Sequence, residues 1–149
     1  MTKPVRVGVL GCGNVGAALV AQMTAEADTI EARTGVRLEV ARVAVRNVSK
    51  ERPVALPDGV LTNDAAEVVN DKHIDVIVEM IGGIEPARSL VLDALKNGKP
   101  VVTANKELLA NVGADLFAAA EAAGRDLLFE AAVGGGIPII RPLRESLVG

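Results

Sequence analysis

VRVGVLGCGNVGAAL, from Val5 to Leu19, decides how the rest of the chain is read. Val5 to Leu10 is largely apolar and rich in valine, which suits a buried strand. Gly11, Gly13 and Gly16 follow at G-x-G-x-x-G spacing, and an alanine-rich segment opens behind them. That fingerprint gains its meaning from a strand on one side and a helix on the other. In this setting Gly11 permits the tight turn, Gly13 lets the backbone approach a pyrophosphate, and Gly16 lets helix and strand pack closely. The first N–H groups of the helix then offer donors and partial positive charge to phosphates. A ligand-free turn would use the same glycines, but the strand–turn–helix context favours a dinucleotide.

Outward from this unit, short β-branched runs alternate with longer helical segments. The pattern predicts a helix from Asn14 to about Arg33, with Val15, Leu19, Met23 and Ile30 on its buried face and Gly35 as its stop. Leu38–Val45 reads as the second strand. Residues 47–63, punctuated by Pro53, Pro57 and Gly59, read as loop with room for one short strand. Asp64 caps a short helix through Val69. Ile74–Ile81 (IDVIVEMI) reads as a buried strand, Glu85–Asn97 as a helix closed by Gly98, and Pro100–Thr103 as a strand. Lys106–Ala123 reads as a helix with Gly113 as its weak point, Asp126–Glu130 as a strand, and Ile137–Leu147 as a helix with Pro138 in its first turn. Strands alternating with helices predict one α/β domain over residues 1–149, a doubly wound parallel sheet.

Composition agrees. Half of the 149 residues are hydrophobic but only 1% are aromatic, so the core must be aliphatic, as in a sheet covered on both faces. A net charge of -3 provides no basic footprint for nucleic acid. No window approaches the roughly 20 apolar residues of a membrane span. Cys12 is the only cysteine, so no intrachain disulfide can form, and a soluble protein of the reducing cytoplasm is expected. Cys12, at an x position of the glycine loop, reads as a small residue offering backbone to a ligand. His73 reads as a loop residue.

Open α/β sheets bind ligands at the carboxyl ends of their strands. At the end of the second strand stands Arg46, where an acid would read the 2′-hydroxyl of NAD. An arginine can pair with the 2′-phosphate of NADP, or simply be a solvated charge. Gly82, after the fourth strand, lets backbone pass close to the nicotinamide ribose. Thr103 and Lys106 follow the fifth. The Lys106 ammonium could stabilise negative charge on a substrate oxygen during hydride transfer, or be a surface lysine. Glu130 and the glycine-freed carbonyls of Val133–Ile137 form an oxygen-rich set that suits a hard cation, although a plain tight turn explains the same glycines.

Four ordered stretches, GCGNVG, EMIGGIEP, VVTANKELLA and EAAVGGGIPII, carry a resemblance. The chain resembles the N-terminal nucleotide-binding domain of homoserine dehydrogenase over nearly its whole length. The resemblance implies a Rossmann-like domain, NADP or NAD as cofactor, and interconversion of L-homoserine and L-aspartate 4-semialdehyde in threonine and methionine biosynthesis. It assigns Asn14, Val15, Arg46, Thr103 and Lys106 to the cofactor, beside Gly11, Gly13, Gly16 and Gly82 as read above, and Lys106 also to catalysis. It assigns Glu130, Val133, Gly135 and Ile137 to a monovalent cation, sodium in this family. It also implies a homo-oligomer for the full-length enzyme, a second domain carrying the substrate acids and another lysine beyond Gly149, and a fragment that binds cofactor without turnover. Other Rossmann oxidoreductases, or a non-catalytic NADP-binding module, share the first glycine loop. The TANK and AAVGGGIP stretches separate the chain from those other oxidoreductases.

Overall fold

The computed structural model describes residues 3–147. The expected chain end at Val148 and Gly149 lies outside them. Six strands form one parallel sheet: β1 (Val5–Leu10), β2 (Leu38–Ala44), β3 (Leu61–Thr62), β4 (Val76–Glu79), β5 (Val101–Thr103) and β6 (Leu127–Leu128). Their spatial order is β3-β2-β1-β4-β5-β6, and every neighbouring pair is parallel. The chain winds one way from β1 to β3 and the other way from β4 to β6. The order therefore reverses between β1 and β4, which leaves a crevice at their carboxyl ends.

Strand alternation sorts the core into two layers. Val7, Val9, Val43 and Val78 pack with Val20 and Met23 of helix α1 (Asn14–Ala25) on one face. Leu10, Ala44, Ile77, Val101 and Leu127 point the other way. They meet α3 (Ala65–Asn70), α4 (Ala87–Lys96) and α5 (Lys106–Ala123). Gly8 shares this second face, where a Cβ would come within 2.7 Å of Val68 Cγ1. Asp64 caps α3 by accepting from the Glu67 N–H, as its residue type predicts. No helix among the described residues is long and apolar enough to cross a membrane.

Several boundaries differ from expectation. The first long helix breaks at Glu26, and a separate α2 spans Ala27–Thr34. The buried face of α1 is Gly16, Ala17, Val20 and Met23, while Val15 is 63% exposed. The close packing of Gly16 on the β1 turn sets the phase of the helix, and that phase turns Val15 outward. The backbone of α5 departs from helical geometry at Val112, one residue before the expected weak point. The sixth strand ends at Leu128, and Glu130–Ala132 is a 3-10 turn. The last helix, α6, covers only Ile140–Glu145, so Pro138 lies outside it. Glu130 accepts from the N–H groups of Ile139, Ile140 and Arg141 and so caps the helix at this point.

Candidate functional site

The three glycines of the β1–α1 turn are glycine for different reasons. At Gly11, φ is +95°, and a Cβ would sit 2.7 Å from the Met80 carbonyl oxygen at the end of β4. At Gly16 a Cβ would strike the Gly11 carbonyl. Both are dictated by the protein's own packing. Gly13 adopts an extended conformation open to any residue, and nothing lies within 4 Å of where its Cβ would be. The fold does not demand a glycine there, so the space fits a ligand pressed against backbone. Asn14 and Val15, both exposed, form the rim beside it.

That space belongs to an open cleft of about 710 Å³ at the β1/β4 crevice. It brings together Gly11, Gly13, Arg46 and Gly82, as the sequence predicts. Gly82 is exposed at φ +81° with no atom near its would-be Cβ, a second stretch of bare backbone. Lys50 and Arg52 join Arg46 and make the β2 end of the cleft cationic. Arg46 makes no side-chain hydrogen bond or ion pair among the described residues. Arg52 does the reverse: its guanidinium donates to the carbonyls of Lys50 and Asn47, each at 2.6 Å, and staples the 47–52 loop. Its Nε is buried without a partner among the described residues, and the guanidinium lies next to the Cys12 thiol. Burial pushes the Cys12 thiol up, and the adjacent Arg52 offsets only part of that. The thiol stays protonated at neutral pH and unsuited to nucleophilic work. His73 is exposed at the opposite end of β4.

Beyond the cleft, the ends of β4 and β5 are joined by a buried polar cluster. Glu79 is fully buried. Its Oε1 accepts from the Ile81 N–H at 2.7 Å and the Gly82 N–H at 3.3 Å, and its Oε2 accepts from the Thr103 hydroxyl at 2.6 Å. The Thr103 oxygen in turn accepts from the Asn105 N–H at 3.1 Å. The Asn105 amide donates to the Gly83 carbonyl at 2.7 Å, while its oxygen caps α5 by accepting from the Leu108 N–H. Thr103 is thus fully buried, with its hydroxyl engaged inside the protein. Lys106 is the first residue of α5 and exposed. It lies outside the cleft lining but is tied to the Gly82–Gly83 turn through Asn105.

Glu130 sits apart, after β6. Its carboxylate accepts from the backbone N–H groups of Ile139, Ile140 and Arg141, the last two at 3.0 and 2.8 Å. Desolvation pushes its carboxyl up, but those three amides and the Arg141 charge outweigh it and hold the group below the ordinary carboxylate range. The carbonyls of Val133, Gly135 and Ile137 accept no hydrogen bond among the described residues. Gly134 and Gly135, at φ +75° and +61°, turn the chain there. Three carbonyls that accept nothing among the described residues, in the turn that follows Glu130, offer the kind of oxygen donors a hard monovalent cation takes. No group of three or more His, Cys, Asp or Glu side chains is gathered among the described residues.

Sequence reasoning did not single out Glu79, Asn105, Lys50 or Arg52. Two of them left a signal: an acid inside an apolar run must find donors if buried, and an Asn directly before a helix is a strong cap.

The homoserine dehydrogenase NAD-binding domain family matches residues 11–130. A homoserine dehydrogenase of Mycobacterium tuberculosis (strain H37Rv) is 48% identical over 99% of this chain and 33% of its own length. A crystal structure of a homoserine dehydrogenase from Thiobacillus denitrificans superposes with a TM-score of 0.89 at 51% identity, over 97% of this chain and 33% of that one. A hyperthermophilic archaeal homoserine dehydrogenase in complex with NADPH superposes at 0.77 with 28% identity, over 99% of this chain and 50% of that one. The chain spans about a third of the length of the curated relatives it matches.

Proposed function

The chain belongs to the family of homoserine dehydrogenase NAD-binding domains, and from that premise we propose that its cleft holds NADP(H) as the cofactor-binding part of an enzyme interconverting L-homoserine and L-aspartate 4-semialdehyde. The observation that carries this is the bare backbone at Gly13, an opening the fold does not need, set beside the cation Arg46, which is unpaired among the described residues. Gly11, Gly13, Asn14, Val15 and Gly16 hold the pyrophosphate at the α1 start. Arg46 faces the 2′-phosphate, with Lys50 adding charge. Gly82 and the main chain near Thr103 border the nicotinamide side. When bound, the nicotinamide supplies hydride exchange with the carbon of the alcohol or aldehyde. Lys106 supplies positive charge for the substrate oxygen. A lysine at a helix N-terminus opposes the helix dipole, so its position favours chemistry over stability.

The cofactor preference has a direct test. Arg46→Ala should weaken NADPH binding by about tenfold or more, the worth of one charge-assisted hydrogen bond, and leave NADH nearly unchanged. Titrating both cofactors checks it, and equal losses would refute the 2′-phosphate assignment. NADP that fails to raise the thermal midpoint of the unsubstituted chain would refute binding altogether.

We further propose that the carbonyls of Val133, Gly135 and Ile137, with the charge of Glu130 nearby, hold sodium. Thermal stability should then be higher in sodium chloride than in choline chloride at equal ionic strength, and Glu130→Gln should shrink the difference. Equal midpoints in the two salts would leave those carbonyls to a plain turn. A reducing cytoplasm suits the single, half-buried free thiol, and homo-oligomerisation is proposed for the whole enzyme only.

A further inference from the structure

Among the described residues four polar or charged side chains are buried: Glu79, Lys99, Thr103 and Asn105. Three of these form one cluster, and it lies at the ligand edge of the sheet. Glu79 has no cationic partner within ion-pair distance among the described residues. A carboxylate so placed is costly, and an apolar residue of similar volume would often serve stability equally well. Its hydrogen-bond partners are also selective. Two are backbone N–H groups of the turn that contains Gly82, and one is the hydroxyl that positions Asn105 at the start of the Lys106 helix. The Asn105 amide lies a further 3.5 Å from Oε1. Every one of these groups offers a hydrogen, and the two carboxylate oxygens accept them all.

We infer that Glu79 is a positioning residue: its buried carboxylate sets the Gly82–Gly83 turn and the start of α5 relative to each other, and thereby governs how tightly the nicotinamide half of the cofactor is held. The inference rests on the NADP(H) reading of the cleft. Glu79 itself is sealed from ligand, so it acts only through these two segments. The phosphate end, built on Gly13 and Arg46, does not depend on it.

The test separates the two halves of the cofactor. Wild type and Glu79→Gln are titrated with NADPH and with adenosine 2′,5′-bisphosphate, which lacks the nicotinamide half. Glu79→Gln should lose about tenfold in NADPH affinity, the scale of one hydrogen bond to a charged group, and hold the bisphosphate within about twofold. Equal losses for both ligands, or no loss for either, would overturn the inference, since a merely structural role predicts one of those. Should Glu79→Gln not fold, Thr103→Val and Thr103→Ser carry the same decision: Val must reproduce the split and Ser must restore the wild-type ratio. Any other pattern overturns the proposal. If wild type binds neither ligand, the NADP(H) reading itself fails, an outcome distinct from wild type and variant binding both alike.

Discussion

Gly16→Ala is expected to cost about 3 kcal/mol of stability, because its methyl group has no direction in which to yield. The Gly11 carbonyl it would strike is main chain, fixed by a φ of +95° and by a hydrogen bond from the Gly11 N–H to Ala44 at 2.9 Å. For a domain near this size that cost lowers the melting midpoint by on the order of 10 °C. The control is Gly13→Ser, two residues beyond Gly11 in the same turn. Gly13 already occupies the N-cap position in extended geometry, and serine is among the preferred N-caps. The midpoint should therefore move by no more than a few degrees, while NADPH affinity falls about tenfold or more as the side chain enters the ligand's space. Thermal melts with and without NADPH read both. A stable Gly16→Ala, or a Gly13→Ser that binds normally, would break the division between a glycine kept for packing and one kept for the ligand.

The second large effect concerns Lys106. In a full-length enzyme carrying this domain, Lys106→Ala should lower kcat/KM for homoserine by about a hundredfold, the size typical of a lost donor at a developing oxyanion. The loss should appear in kcat as well, because the charge matters most in the transition state. Folding stability should be nearly unchanged. The side chain is exposed, and among the described residues it makes no hydrogen bond or ion pair. A kcat/KM near wild type would return Lys106 to an ordinary surface position.

Much of this is legible in the sequence. The β1 run, the glycine spacing and the alternation of strands and helices lead to the parallel sheet without further help, and they place Gly11, Gly13, Arg46 and Gly82 around one crevice. Local patterns failed where a distant contact decided the outcome. The phase of α1 could not be read from apolar spacing alone, because Gly16 locks onto a carbonyl of the preceding turn and swings Val15 outward. The start of α6 lies later than local pattern predicts because the group that holds its first amides is a side chain nine to eleven residues upstream. Glu79 was hidden inside IDVIVEMI, since the threonine that satisfies it lies 24 residues away, across a helix and a neighbouring strand. Carbonyl-binding by Arg52 has no sequence signature at all, because it depends on the path of the loop it closes.

That last contact bears on the thermodynamics of recognition. A ligand that must order a loop gives up part of its gross interaction energy to do so, at roughly 0.5–1.5 kcal/mol for each rotamer-rich side chain immobilised, with further loss for the backbone. Here the 47–52 segment is already closed by a guanidinium gripping two of its own carbonyls, with the Ser49 N–H bound to the Asn47 side chain at 2.9 Å. The entropy of that loop is lost when the chain folds. On the proposed reading, a phosphate arriving at Arg46 therefore meets a platform whose shape does not wait on it, and only the Arg46 and Lys50 side chains remain to be stilled.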